Sequence, residues 1–269
     1  MQWRRPFDAD RPAPLLRSSP RLQESFLLDI IASSGDDSPM RYPGGKGKCF
    51  QHVINLMPPH HTYIETHLGG GAVLRSKRPA QRNIGFDLDD RVIEWWRRNH
   101  QALAEYHQSD CVTALEQMHF EGSELIYCDP PYLASTRKRT KVYRFDYTSQ
   151  DHERLLHVLR QLPCKVIISG YCSPLYDRML NDWNAHSFTA KAHDAVRQEH
   201  LWFNFEPPLE LHDTRYLGSN FRQREVVRRR LARIKDRLSR LSEAERCDIS
   251  SWLSSTFQTL EGAKEHGNV

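Results

Sequence analysis

The sequence predicts an α/β fold: a doubly wound, mostly parallel sheet with helices on both faces. Three observations carry this expectation. From residue 62 onward, short apolar runs alternate with segments of helical spacing, the pattern of strands joined by crossover helices. The first run leads into three consecutive glycines, Gly69 to Gly71, where a tight strand-to-helix turn needs backbone freedom. A later run, "LIYC" (125–128), passes directly into Asp129, Pro130, Pro131 and Tyr132. Two prolines stop a strand there, because they lack the amide hydrogens of the ladder.

Taken in order, "TYIET" (62–66), "NIGFD" (83–87), "LIYCD" (125–129) and "KVIISG" (165–170) read as strands, and "EYHQSD" (105–110) holds another. Asp89 to Asn99, Val112 to Met118 and Gln150 to Leu162 have helical spacing. In the last, Leu155, Leu156, Val158, Leu159 and Leu162 form the inner face. A strand order 3-2-1-4-5 would set the first and fourth strands side by side. Loops at their carboxyl ends would then share one crevice at the switch point.

At 269 residues, with 39% hydrophobic and 27% charged residues, the chain is long enough for one large domain or a domain with a smaller lobe. Residues 1–39 differ from the rest. They are rich in Pro, Arg, Ser and Asp, and only "FLLDII" can pack, so a disordered extension is expected. Met40, directly before the first motif, is a candidate alternative start. A folded domain is expected over 40–220 and a basic helical segment over 221–269. From Arg222 to Arg240 nine Arg or Lys face two acids, while the net charge of the whole chain is only +4. Val227, Leu231, Ile234, Leu238 and Leu241, spaced 4, 3, 4, 3, make an apolar seam on that helix. It reads equally as a surface helix packed on the core, a helix facing nucleic acid, or a short coiled coil between subunits.

The six cysteines show no C-x-x-C and no His–Cys metal spacing, which favours free thiols in a reducing cytosol and no metal. No apolar run approaches the length of a membrane span and no signal-peptide pattern occurs, so a cytoplasmic protein without a membrane partner is expected.

The segment "YIETHLGGGAVL" (63–74) carries the first chemical hint. A dinucleotide fingerprint fails, because Leu74 stands where the last glycine of G-x-G-x-x-G belongs. Asp87 ends the second strand 16 residues beyond Gly71, where an acid receives ribose hydroxyls in nucleotide-binding units. Helix capping is its alternative role, and Asp89 is equally placed for that. An acid for a ribose, without a phosphate cradle, points to a nucleoside cofactor, with S-adenosylmethionine the obvious one. The Asp129–Tyr132 turn would present a carboxylate, a backbone carbonyl and a flat ring to the same crevice, a clamp for a planar acceptor.

In this order, "RYPGGKGK" (41–48), "YIETHLGGGAVL", "NIGFDLDDRVI", "QSDCV" and "LIYCDPPY" resemble the Dam-like amino-methyltransferases that modify adenine in DNA. "RFDYTSQDHERLL", "KVIISGY" and "EHLWFNF" extend the similarity to about residue 220. The resemblance implies a Rossmann-like methyltransferase sheet, S-adenosylmethionine as cofactor, no metal, and adenine-containing DNA as partner. Lys46 would then reach the methionine carboxylate, with Tyr42 and Pro43 beside the cofactor. Glu65, Gly69 and Gly71 would hold the methionine end and Asp87 the ribose. Asp110 would accept from the cofactor's adenine amine, and Cys111 would add a backbone contact. Asp129 and the Pro130 carbonyl would accept from the target amine, and Tyr132 would stack on the target ring.

Two departures from the family pattern matter. Thr66 and His67 stand where a Pro-Phe pair is common, and His67 is expected to be structural. Only 14 residues, Cys111 to Glu124, fill the place where relatives of this order insert a target-recognition domain. Relaxed or unusual selectivity follows. Recognition would fall to the loop 133–145, the segment 184–220 or the basic tail. In that loop Arg137, Lys138, Arg139 and Lys141 would contact phosphates, and Tyr143 would support a flipped base. Trp202 is expected in the core; Ser169 and Tyr171 receive no distinct role. The motifs leave RNA open as substrate, since discrimination rests on backbone and 2′-hydroxyl contacts. A non-catalytic nucleic-acid binder would be expected to have lost Asp129, Tyr132, Lys46 or the glycines, and all are present. Self-association would run through the C-terminal helix.

Overall fold

The structure, a computed structural model, describes residues 45–47, 49–137, 143–192 and 195–262. The expected extension over 1–39 lies outside these, as do Tyr42, Pro43, Lys138, Arg139 and Lys141.

A short helix α1 (Phe50–Ile54) precedes the alternating series. The series runs β1 (Thr62–Glu65), α2 (Ala72–Ser76), β2 (Arg82–Asp87), α3 (Asp90–Asn99), β3 (Glu105–Gln108), α4 (Cys111–Gln117) and β4 (Glu124–Cys128). It continues through α5 (Ser149–Gln161), β5 (Lys165–Gly170), α6 (Pro174–Met179), β6 (Asn184–Ala192) and β7 (Ala195–Phe203). The strands form one sheet of order β3-β2-β1-β4-β5-β7-β6. The first five pair in parallel, and β1 lies between β2 and β4, with Glu65 level with Gly85 and Tyr127. This is the expected 3-2-1-4-5 order, and it puts the ends of β1 and β4 side by side.

Strand alternation divides the core. Tyr63, Leu125, Tyr127 and Ile167 pack with Val92, Ile93 and Trp96 of α3. Ile64, Ile126, Cys128, Val166 and Ile168 pack with Leu155, Leu156 and Leu159 of α5. Side chains two apart share a face, so strands buried on both faces demand cover on both sides, and the crossover helices supply it. The helix starts are fixed locally. Thr148 and Asp151 form a reciprocal capping box on α5, and Ser173 caps α6 ahead of Pro174.

Part of the segment expected to hold recognition belongs to the sheet instead. β7 runs antiparallel to both β5 and β6, so these two strands extend the scaffold. The sequence concealed this because β6 is an edge strand whose one buried residue among the side chains described is Phe188. Trp202 is in the core as expected, and Asn204 closes the strand end by accepting from Val166 N and donating to Cys164 O.

The basic segment folds as α7 (Phe221–Ser239), capped by Asn220, followed by α8 (Glu243–Gly262). No α7 residue is buried, and Ile234 of the seam is 46% exposed. Val227, Leu231, Leu238 and Leu241 of the same seam are half-buried. Among the described residues no helix is long and apolar enough to cross a membrane.

Candidate active site

A crevice of about 810 Å³, open to solvent, runs along the carboxyl ends of β1, β2 and β4. One side, the expected cofactor side, is built on the glycine loop. Gly69 and Gly71 have φ of +43° and +53°, left-handed conformations that suit glycine. A second constraint comes from Trp96 on α3. Its Nε1 donates to Gly69 O at 2.9 Å, and a Cβ on Gly71 would come within 2.1 Å of its ring. The loop is thus moulded on an indole that the motif does not contain.

The two predicted acids of this side are engaged by backbone. Glu65 Oε2 accepts from Leu74 N at 3.0 Å and Tyr63 Oη at 2.8 Å. Burial pushes its carboxyl up to about 8, with these two bonds opposing the rise. Asp87 accepts from Gly69 N through Oδ2 (2.8 Å) and from Asp89 N through Oδ1 (2.9 Å). Burial raises its carboxyl to about 6 against the pull of these amides. Helix capping falls to Asp89, which accepts from Arg91 N at 3.1 Å. Asp110 caps α4 through Oδ2, which takes Thr113 N at 3.0 Å, and its Oδ1 has no protein partner among the described residues. Cys111 opens that helix with a buried thiol, and its first-turn amide has no intrahelical acceptor.

Across the crevice stands the turn after β4. Asp129 Oδ1 accepts from Ser169 Oγ at 2.6 Å and from Lys46 Nζ at 2.7 Å. Its Oδ2 has no protein partner among the described residues and remains available to accept. Lys46 Nζ also donates to Tyr132 Oη at 2.6 Å. Burial pulls this ammonium's pKa down, but Asp129, Tyr127 and Glu199 outweigh it and hold it well above the usual value. The structure therefore ties Lys46 to the Asp129–Tyr132 turn, at the lining of the crevice. Tyr132 Oη donates to Glu199 Oε2 at 3.2 Å, and Tyr171 meets its ring edge-on at 4.6 Å.

In the loop after this turn the Arg137 side chain is 8% exposed and pairs with Asp146 at 2.8 Å. Tyr143 lines the crevice together with Phe145 and Tyr147. Arg144 reaches back across it to Asp89 and Asp90, at 2.7 Å each. The described part of the loop is thus a strap over the cofactor side. His67 is structural in its contacts, bonding Thr66 Oγ1 at 2.9 Å and Tyr147 Oη at 3.0 Å. Burial holds its ring neutral, down to about 3.

The sequence reading missed Trp96, Arg144, Glu199 and the role of Ser169. Ser169 had a signal, a polar residue closing a buried strand beside the fourth. Glu199 opens the quoted "EHLWFNF", but only the β5–β7 pairing brings it to the turn.

These residues fit a nucleoside cofactor. Among the described residues lining the crevice Lys46 is the single Lys or Arg, and Asp129 engages it. The acids Asp87 and Asp110 offer acceptors for hydroxyls and an amine.

The sheet order and this crevice define a Rossmann-like fold with a ligand site at its switch point. Within it, residues 104–194, about a third of the chain, match the family described as D12 class N6 adenine-specific DNA methyltransferase. The match includes the Asp129–Tyr132 turn. It bears out the motif resemblance and, with it, the enzyme class: an adenine-specific DNA methyltransferase. Among solved structures, the chain is similar to precorrin 8w decarboxylase from Methanobacterium thermoautotrophicum, at 13% identity over 61% of this chain and 93% of that one, with a TM-score of 0.42. It is also similar to M. capricolum TrmK in complex with S-adenosyl-homocysteine, at 8% identity over 79% and 96%, with a TM-score of 0.42. A third is magnesium protoporphyrin IX methyltransferase from Synechocystis PCC 6803 with bound SAM, at 11% identity over 69% and 96%, with a TM-score of 0.41. No curated protein sequence matches the chain.

Proposed function

We propose that this protein methylates the exocyclic amino group of adenine in DNA by direct transfer from S-adenosylmethionine to a flipped-out base, with relaxed or unusual sequence selectivity. The observation that carries the reading is the state of Asp129. One oxygen is fixed by Ser169 and Lys46, and the other is free to accept, at the end of the strand beside the glycine loop.

The division of labour follows from the chemistry of an aromatic amine, whose lone pair is delocalised into the ring. Asp129 Oδ2 and the Pro130 carbonyl would accept its two hydrogens and favour a pyramidal nitrogen with its lone pair directed at the methyl group. The cofactor supplies a methyl already activated on a sulfonium. What remains for the chain is positioning and stabilisation of the charge that develops on nitrogen. Tyr132 would stack on the base and offset part of the few kcal/mol that unstacking costs. On the cofactor side Asp87 would accept from the ribose, Asp110 Oδ1 from the adenine amine, and Glu65 with the glycine loop would hold the methionine end. Selectivity is expected to be relaxed because only α4 and its flanking turns separate β3 from β4. The exposed, basic α7 is the surface offered to DNA phosphates, with self-association through the same helix as its other use.

The test is transfer of labelled methyl from S-adenosylmethionine to duplex DNA, single-stranded DNA and RNA, with Asp129→Ala in parallel and the modified nucleoside identified by mass spectrometry. N6-methyladenine in DNA, lost in the variant, is the expected result. Methyladenine in RNA alone overturns the substrate, and transfer unaffected by Asp129→Ala overturns the clamp.

A further inference from the structure

Glu199 lies on β7, 67 residues from the tyrosine it touches. Its side chain is 12% exposed, with Oε2 3.2 Å from Tyr132 Oη and 3.7 Å from Lys46 Nζ. The phenol is thereby used in both senses. It accepts from Lys46 at 2.6 Å and donates to Glu199, so its oxygen is fixed from two sides, while Tyr171 limits the ring. A buried phenol without an acceptor would swing to find one, because an unpaired buried donor is costly. Lys46 is likewise held between two carboxylates, Asp129 and Glu199. Two carboxylates and one ammonium leave the turn with excess negative charge, beside the place where an amine would become positive.

We propose that Glu199 is a positioning residue for methyl transfer: it fixes the Tyr132 ring and the Lys46 ammonium so that the free oxygen of Asp129 and the stacking face meet the acceptor base together. The inference rests on the methyl-transfer reading above and adds to it a group from the antiparallel hairpin. β7 thus joins β5 to the edge strand β6 and also completes the clamp. The role differs from that of Ser169, which acts on Asp129 alone.

Two variants separate the contributions. Glu199→Gln keeps the volume and an acceptor for Tyr132 but removes the charge; Glu199→Ala removes both. Equilibrium binding of tritiated S-adenosylmethionine, and kcat and KM for an adenine-rich duplex, are measured for each and for the intact protein. Cofactor affinity and DNA KM are expected to stay within about threefold. The value of kcat is expected to fall about tenfold in Glu199→Gln and about 100-fold in Glu199→Ala, since misplacement by about an ångström costs that much. Unchanged kcat in Glu199→Ala overturns the inference while leaving the methyl-transfer reading intact. Cofactor binding lost in step with kcat in both variants also overturns it, because the residue would then only hold up the crevice. An intact protein that binds cofactor but methylates none of the three nucleic acids overturns the reading itself, and the inference with it.

Discussion

Lys46 Nζ lies 2.7 Å from Asp129 Oδ1 and 2.6 Å from Tyr132 Oη, so one ammonium joins the carboxylate and the phenol of a single turn. The family resemblance alone would send this lysine to the cofactor's methionine carboxylate. The two roles separate in kinetics. Lys46→Met keeps much of the volume and removes the charge. If the ammonium serves the acceptor turn, the single-turnover transfer rate should fall about 100-fold while the Kd for S-adenosylmethionine moves less than about threefold. Rapid-quench transfer beside equilibrium cofactor binding checks this, and a large rise in Kd with little loss of rate would return Lys46 to the cofactor.

Gly71 tests the moulding of the glycine loop. Its φ of +53° strains any side chain, and a Cβ would stand 2.1 Å from the Trp96 ring. Gly71→Ala is expected to cost about 3 kcal/mol or more, combining backbone strain with overpacking. Gly122→Ala provides the contrast: φ is +87°, but the nearest atom outside the turn is 3.5 Å away, so about 1 kcal/mol is expected. Urea denaturation of both variants measures the difference, and equal costs would mean that Trp96 yields.

What the sequence disclosed and what it concealed divide along physical lines. The buried parallel strands were legible because "LIYC" and "VIIS" can only be covered on both faces, and Gly71 because its neighbours demanded a turn. Asp129 was legible from the two prolines after it. Glu199, Trp96 and Arg144 were not, since each reaches the site through tertiary pairing and no local pattern announces it. Arg137 shows what a basic run conceals: an acid nine residues on, Asp146, pairs with it in this structure. The C-terminal seam had the spacing of a packed helix, and its residues are at most half-buried, because periodicity records a capacity to pack and not a partner.

The strap over the cofactor side is tied by Arg144 to Asp89 and Asp90 at 2.7 Å. Arg144 is 46% exposed, so its loss should change global stability little. Tyr143, Phe145 and Tyr147 line the crevice, so a loosened strap should release cofactor sooner. Arg144→Ala is expected to raise the dissociation rate of S-adenosylmethionine about three- to tenfold with little change in association. Stopped-flow displacement measures both rates, and an unchanged dissociation rate would show that the strap holds without this pair.

His67 makes a pH-dependent contribution whose sign is fixed by its burial. The ring bonds Thr66 Oγ1 and Tyr147 Oη, and burial, aided by repulsion from His152, lowers it from 6.5 to about 3. Between those values the unfolded chain binds a proton that the folded protein does not. Folding stability is therefore lost as pH falls from 6.5 toward 3, at about 1.4 kcal/mol per unit. Glu65 and Asp87, raised to about 8 and about 6, act in the opposite sense over part of the same range, so the intact protein's profile mixes the two. A variant isolates the histidine. His67→Gln should be less stable at pH 7 because the bond to Tyr147 weakens. From pH 7 to pH 5, however, it should lose about 2 kcal/mol less than the intact protein. Urea denaturation of both at the two pH values gives the double difference, and parallel profiles would mean that His67 is protonated in the folded crevice.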